Sequence, residues 1–241
     1  MATSQIYDDD LAHIHIEGYD FHWKGAAPAV LQWLCRAGIT SGTVVDLGCG
    51  GGQWLQHLAA KGYEPVGIDA SAAMIREARK LVPSATLIHG SFADANLPPC
   101  DCVTSLGEPL NYLDGVRSFK RALKNVYRAL RPGGLFVFDV RVPPLQRVET
   151  RTHARIGDDW ACIALIDEYP ATGRLVRRIT TFRRQGVAYR RGEEVHQLHL
   201  FPGADIRSWL SDLGFRVRTC RTYGDYRLTP RQVIFLARKP T

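Results

Sequence analysis

The sequence predicts a doubly wound α/β fold with a small antiparallel β insert, and three observations carry that prediction. Val44-Val45-Asp46-Leu47-Gly48-Cys49-Gly50-Gly51-Gly52 joins a β-branched run to a glycine turn. Gln53 to Ala60 then takes up helical spacing, with Trp54, Leu55, Leu58 and Ala59 on one face. Pro65-Val66-Gly67-Ile68-Asp69 repeats the pattern of an apolar strand ending in an acid. Beyond it, apolar strands and amphipathic helices alternate as far as Val140, the rhythm of parallel βαβ units.

Composition agrees with one such domain plus a subdomain. The chain has 241 residues, 45% of them hydrophobic, enough to fill a sizeable core. No apolar run approaches a membrane span, and Met1 to Asp10 is polar and acidic, unlike a signal peptide, so a cytoplasmic location is expected. The six cysteines form no C-x-x-C pair and no zinc spacing, and they read as reduced thiols. The net charge of +7 rests almost wholly on arginine. With no basic run interleaved with aromatics, it reads as a charged enzyme surface rather than a nucleic-acid footprint.

Residues 6–24 form a leader dense in rings: Tyr7, His13, His15, Tyr19, Phe21, His22 and Trp23. They either pack on the core or form a lid, whose aromatic faces would attract a cation and whose closure would exclude water. Pro28 to Arg36 reads as the first helix, with Val30, Leu31 and Leu34 inward and Gly38 as its stop. The glycine turn then departs from a dinucleotide fingerprint, because the sixth position, counting Gly48 as the first, is Gln53; no Lys-Ser or Lys-Thr follows to make a P-loop. Asp46, directly before the turn, would repel a pyrophosphate and suits a ligand carrying an ammonium or a sulfonium. Asp69 lies 19 positions after Gly50, near the spacing of a carboxylate that takes both hydroxyls of a ribose. The alternative for Asp69 is a capping acid in a βα loop.

A helix begun by Ser71 buries Met74, Ile75 and Ala78 and stops before Pro83. Ala85 to His89 is a third strand and Asp101 to Leu106 a fourth. Gly115 to Leu130 is an amphipathic helix on Phe119, Ala122, Leu123, Val126 and Leu130, ended by Arg131-Pro132-Gly133-Gly134. Leu135 to Val140 is a strand buried on both faces. Residues 142–201 leave the helix–strand rhythm. Trp160 to Tyr169, Leu175 to Phe182 and Glu194 to Phe201 read as antiparallel strands of an insert beside the crevice. His196 and His199 point to opposite faces of the third of these. Ala204 to Leu213 is the last helix, and Phe215 to Cys220 and Gln232 to Ala237 are the last strands.

Asp46-Leu47-Gly48-Cys49-Gly50-Gly51-Gly52, Gly67-Ile68-Asp69-Ala70-Ser71-Ala72-Ala73-Met74 and Leu130-Arg131-Pro132-Gly133-Gly134-Leu135-Phe136-Val137-Phe138-Asp139 resemble, in that order, the class I S-adenosylmethionine-dependent methyltransferases. The resemblance covers residues 40–140. It implies a Rossmann-like, mostly parallel seven-stranded sheet whose antiparallel last strand lies at the edge. The implied cofactor is S-adenosylmethionine, leaving as S-adenosylhomocysteine. On the family pattern, Asp46, Gly48, Cys49 and Gly50 hold the methionine end, Asp69 and Ala70 the ribose, and Met74 lies near the adenine. Where many relatives read the adenine amino group with an aspartate, this chain has Ser91 and Phe92. Leu106 and Gly107 would flank the sulfonium, and Tyr19 or Tyr7 would close the lid.

The loop Gly107 to Tyr112 lacks the Asp/Asn-Pro-Pro-aromatic run of nucleic-acid amino methyltransferases and looks like that of small-molecule enzymes. Asp139 is followed by Val140 and Arg141 rather than a second ligand, so no magnesium site is expected. His196 lies in a Glu-x-His pattern shared with sugar-amine methyltransferases and is the leading candidate base. Tyr19, Glu108 and Tyr112 are the other catalytic candidates. The expected organisation is a lid and first helix over 1–40, a cofactor domain over 41–141 and 202–241, and the insert over 142–201. The expected activity is methyl transfer to N or O of a small molecule. Cyclisation or aminocarboxypropyl transfer from the same cofactor, or cofactor binding without turnover, are the alternatives.

Overall fold

The computed structural model describes residues 6–146 and 149–241. Residues 1–5 of the expected 1–40 segment and residues 147–148 of the expected insert lie outside the described residues. Seven strands form the main sheet: β1 (Gly42–Leu47), β2 (Tyr63–Asp69), β3 (Thr86–His89), β4 (Cys100–Ser105), β5 (Leu130–Arg141), β10 (Arg216–Cys220) and β13 (Gln232–Arg238), in the order β10-β13-β5-β4-β1-β2-β3. β1 to β5 are mutually parallel, and β13 runs antiparallel to both β5 and β10. β13 therefore lies inside the sheet, not at its edge. Its Val233-Ile234-Phe235-Leu236-Ala237 run needs cover on both faces, whereas β10 is largely exposed and takes the edge. The strand order reverses between β1 and β4, which opens a crevice at their carboxyl ends.

Helices cover both faces. Phe136, Phe138 and Val140 of β5 pack with Phe119, Leu123 and Val126 of α5 (Gly115–Ala129) and Ile206 and Leu210 of α6 (Gly203–Asp212). The alternate residues Leu135 and Val137 pack on the other side with Val30 and Leu34 of α2 (Phe21–Arg36) and Trp54 and Leu58 of α3 (Gln53–Ala60). This period-two division is why β5 reads as continuously apolar.

Several boundaries differ from expectation. α2 begins at Phe21 and carries Pro28 inside it. Burial of Ala26, Ala27, Ala29 and Val30 on that helix outweighs the backbone bond that proline removes. The leader is itself helical: α1 spans Asp9–Gly18, capped by Asp8, whose carboxylate accepts from Leu11 N at 2.9 Å. α4 (Ala72–Leu81) is capped by Ser71 as expected. The insert has four strands rather than three: β6 (Arg151–Ile156), β7 (Trp160–Tyr169), β8 (Arg174–Gln185) and β9 (Ala188–His199), all antiparallel. β6 escapes sequence reading because Arg-Thr-His-Ala-Arg-Ile has Ile156 as its one large apolar residue and nearly all of it is exposed. A small hairpin of β11 (Thr222–Tyr223) and β12 (Tyr226–Arg227) was not anticipated either. None of the six cysteines is paired. Among the described residues no helix is long and apolar enough to cross a membrane.

Candidate active site

The glycine turn is built for close approach. Gly48 has φ +80°, and a Cβ there would stand 2.4 Å from Pro109, so the loop after β4 rests directly on it. Gly50 has φ +53°, and a Cβ on it would meet only Met74 Sδ, 4.0 Å away, which leaves that side of the turn open. Beside this opening stands Asp69. Its Oδ2 accepts from Gly50 N at 2.9 Å and its Oδ1 from Ser71 N at 2.8 Å. The carboxylate is thus fixed by backbone, and each oxygen keeps a lone pair for a hydroxyl. Burial pushes its pKa up, and the amides of Ser71 and Gly50 work against that shift.

Asp46 is buried at the end of β1 and accepts from Thr104 Oγ1 at 2.6 Å; Thr104 in turn accepts from Trp54 Nε1 at 3.1 Å. Burial raises the Asp46 pKa to about 7 against the opposing Thr104 bond, and the nearby Asp69 charge raises it further. The Cys49 thiol is buried and its pKa lies well above the ordinary value, chiefly from burial, which makes it inert. Met74 is buried against Ala12 and Ala73. Ala70 and Ser91 are exposed, while Phe92 belongs to the main core. The Ser91 hydroxyl accepts from Ala93 N at 3.2 Å and so caps its own turn.

The loop after β4 is held by Asp139, at the end of β5 and fully buried. Gly107 N, Glu108 N, Tyr223 Oη and His22 Nε2 all donate to it, at 3.1, 2.9, 2.8 and 3.1 Å. Glu108 is held at φ +69°, a backbone region that non-glycine residues adopt only under constraint. Its Oε1 accepts from Arg141 Nε at 3.2 Å and Gln232 Nε2 at 2.7 Å, and its Oε2 from Arg177 at 2.7 Å.

A second chain of contacts starts on the insert. Register pairs Arg177 of β8 with His196 of β9. His196 is fully buried; its Nε2 faces Glu194 Oε2 at 2.8 Å and its Nδ1 faces Tyr112 Oη at 3.0 Å. With a carboxylate as partner, Nε2 carries the hydrogen and Nδ1 accepts from Tyr112. Arg177 NH1 reaches Tyr112 Oη at 3.4 Å. His199, on the opposite face, lies near Asp114, away from this cluster.

Glu194 also grips the leader, accepting from Tyr7 N at 2.7 Å and Asp8 N at 2.8 Å, while Ser71 Oγ donates to Tyr7 O at 2.8 Å. These bonds hold Tyr7 at φ +54°, a backbone region that non-glycine residues adopt only under constraint. Its ring lies 4.9 Å from that of His196 and 5.2 Å from that of His15. Ile16 packs on Gly51, where a Cβ would come within 2.6 Å of it, and Gln53 Nε2 donates to Ile16 O at 3.2 Å. Tyr19 stacks on His15 at 5.5 Å under the Arg155 guanidinium, with burial raising its pKa to about 12. Burial first, then the charge of Arg177, lowers the His15 pKa to about 4, so this ring is neutral.

The structure therefore brings Tyr112, His196, Arg177 and Tyr7 together, and Asp46, Gly50, Asp69 and Met74 around the turn. Tyr19 stands one ring further out. Glu194 was legible as the partner of His196, because residues two apart on a strand share a face. His22, Tyr223 and Tyr226 carried no such signal.

The donor set fits S-adenosylmethionine: an open glycine turn, a backbone-anchored acid facing it, and a second, buried acid at the strand end. Among the described residues no cluster of His, Cys, Asp or Glu has the makings of a metal site.

Residues 44–134 match the family described as a methyltransferase domain. The chain is 27% identical over 234 residues, 89% of it and 85% of the relative, to a putative methyltransferase, YqeM, of Bacillus subtilis. It is 30% identical over 166 residues, 68% of it and 64% of the relative, to a dTDP-3-amino-3,4,6-trideoxy-alpha-D-glucopyranose N,N-dimethyltransferase of Streptomyces venezuelae. In fold it is similar to an S-adenosylmethionine-dependent methyltransferase from Clostridium acetobutylicum, with a TM-score of 0.83 at 20% identity over 95% of this chain and 98% of that one.

Proposed function

The chain belongs to the class I S-adenosylmethionine-dependent methyltransferases, and from that premise we propose that it methylates nitrogen or oxygen of a small, anionic metabolite in the cytoplasm. The observation that carries the small-molecule reading is the seating of the leader. It is clasped between Ser71 on the cofactor side and Glu194 on the insert, and it packs directly on Gly51. A crevice roofed in this way suits a metabolite and excludes water. A relative's action on an amino sugar nucleotide agrees with it.

Bound in the crevice, S-adenosylmethionine supplies an electrophilic methyl on sulfur. Asp46 and the glycine turn would hold its amino-acid end, Asp69 and Ala70 its ribose, and Met74, Ser91 and Phe92 would border its adenine. Leu106 and Gly107 would line the sulfur. Transfer of that methyl would be a direct displacement, so what these residues would supply is chiefly position. The proton that the nucleophile sheds passes to Tyr112 Oη as Tyr112 gives its own to His196 Nδ1. Glu194 then steadies the imidazolium. Arg177 supports an anionic substrate. Of the arginines in the same strand, Arg174, Arg178 and Arg183 are turned to Gln197, Asp167 and Asp10, and Arg184 is exposed, whereas Arg177 turns inward, with NH2 on Glu108 and NH1 beside Tyr112.

The test is a cell extract incubated with enzyme and methyl-labelled cofactor. Label should enter a low-mass species retained on an anion exchanger. Label confined to macromolecules would refute the reading. With that product in hand, His196→Ala should slow its formation by roughly 10²–10⁴-fold. A rate within about twofold of wild type would leave His196 a structural residue.

A further inference from the structure

Asp139 is a fully buried carboxylate at the backbone of the loop that lines the reacting centre, since Gly107 and Glu108 both donate to it. A buried carboxylate stays ionised when hydrogen-bond donors or a counter-charge hold it, and Asp139 has both, Tyr223 Oη adding a third donor. Among the described residues the one cationic partner within ion-pair distance is His22, whose Nε2 lies 3.1 Å from Asp139 Oδ2. The other ring nitrogen, Nδ1, faces Tyr226 Oη at 3.3 Å. Each nitrogen thus meets an oxygen that can accept, the pattern that suits a doubly protonated ring. A Cβ on Gly107 would lie 3.6 Å from His22 Cδ2, so the ring borders the same turn of backbone.

The groups facing His22 come from every neighbouring element. Asp139 stands on β5, Glu108 in the loop, Tyr223 and Tyr226 on the hairpin, and neutral His15 on α1. Burial by itself lowers the His22 pKa, but the Asp139 charge and hydrogen bond, with Glu108 behind them, more than reverse this. Burial likewise raises that of Asp139, and His22 with the surrounding donors brings it below the ordinary carboxylate value.

We propose that His22 is a positioning residue whose positive charge cancels Asp139, so that the wall at Gly107 faces the reacting centre without net charge. The inference rests on the reading of the crevice as an S-adenosylmethionine site with Leu106 and Gly107 at the sulfur. Its physical consequence is specific. Without His22, Asp139 keeps the donors Gly107 N, Glu108 N and Tyr223 Oη, and an acid so held beside that point binds a cationic sulfonium more tightly than a neutral thioether. It thereby stabilises the ground state over a transition state in which the charge is already falling.

The test is calorimetry with S-adenosylmethionine and S-adenosylhomocysteine on three proteins. His22→Gln should raise the ratio of the homocysteine to the methionine dissociation constant by at least about fivefold, the size expected of one unscreened charge several ångströms away. His22→Gln combined with Asp139→Asn should return the ratio to within about twofold of wild type, because both charges are then gone. An unchanged ratio in folded His22→Gln overturns the proposal. Failure of wild type to bind either ligand would instead overturn the cofactor reading. A second measurement needs no stable variant. Nitrogen-15 spectra of histidine-labelled wild type should show the His22 ring doubly protonated at neutral pH, and a neutral ring would overturn the proposal as well.

Discussion

Glu108→Ala is expected to destabilise the protein by about 3–5 kcal/mol. The carboxylate is buried, and it is the shared partner of Arg141, Arg177 and Gln232. Removing it strands the Arg141 guanidinium, whose NH1 already lacks a hydrogen-bond partner and stands 3.8 Å from Glu168. Breaking a buried pair from one side costs far more than the pair contributes, because the remaining charge is left in a poorly solvated place. Glu108→Gln should cost less, since the amide oxygen can still accept from one of its donors. Equilibrium unfolding in urea measures both. A loss below about 1 kcal/mol for the alanine variant would mean that the arginines re-pair with Glu168 or with water, and that Glu108 does not organise this side of the site.

Asp46→Asn is expected to separate stability from binding. In the folded, ligand-free protein the Asp46 pKa is raised from near 4 to about 7, mainly by burial. The folded state therefore holds a proton that the unfolded state has released. The stability this contributes is fully present below about pH 4 and is lost as pH rises through 7. A shift of that size corresponds to a loss on the order of 4 kcal/mol between the two limits. Asparagine keeps the acceptor for Thr104 without the charge, so the variant should gain on wild type as pH rises from 4 to 8. Its affinity for S-adenosylmethionine should fall by about 1–3 kcal/mol, because the buried counter-charge for an ammonium is gone. Unfolding curves at several pH values, paired with calorimetry, read both effects. Stability curves that stay parallel across that range would show that Asp46 is ionised throughout.

The parts of this molecule that were legible in sequence are those fixed by local chemistry. A glycine turn after a β-branched run, an acid at a strand end, and apolar positions three and four apart each declare themselves within ten residues. The places of Asp46 and Asp69 in β1 and β2, the turn at Gly50 and the Ser71 cap were legible in this way, and so were α3, α4 and α5. The alternation that puts Glu194 and His196 on one face of β9 was readable for the same reason. What escaped depends on contacts between distant residues. His22 meets Asp139 across 117 positions, Tyr223 meets the same acid across 84, and Arg177 meets Glu108 across 69. No spacing announces such pairs. The start of α2 was misplaced because Pro28 is a strong local stop that tertiary burial overrides. β6 was missed because an exposed strand beside β7 needs no apolar side chains of its own. Glu108 was a candidate only from its place in the loop after β4; its partners Arg141, Arg177 and Gln232 lie 33, 69 and 124 positions away.

Calorimetry on wild type and Asp69→Ala tests most directly whether the crevice between Asp46, the glycine turn and Asp69 is the cofactor site. Wild type should bind S-adenosylmethionine and S-adenosylhomocysteine and neither NAD nor NADP. In the folded alanine variant both affinities should fall by roughly 1–3 kcal/mol, the loss expected when a charge-assisted acceptor of ribose hydroxyls is removed. Tighter binding of NAD by wild type, or an unchanged affinity in Asp69→Ala, would contradict the account.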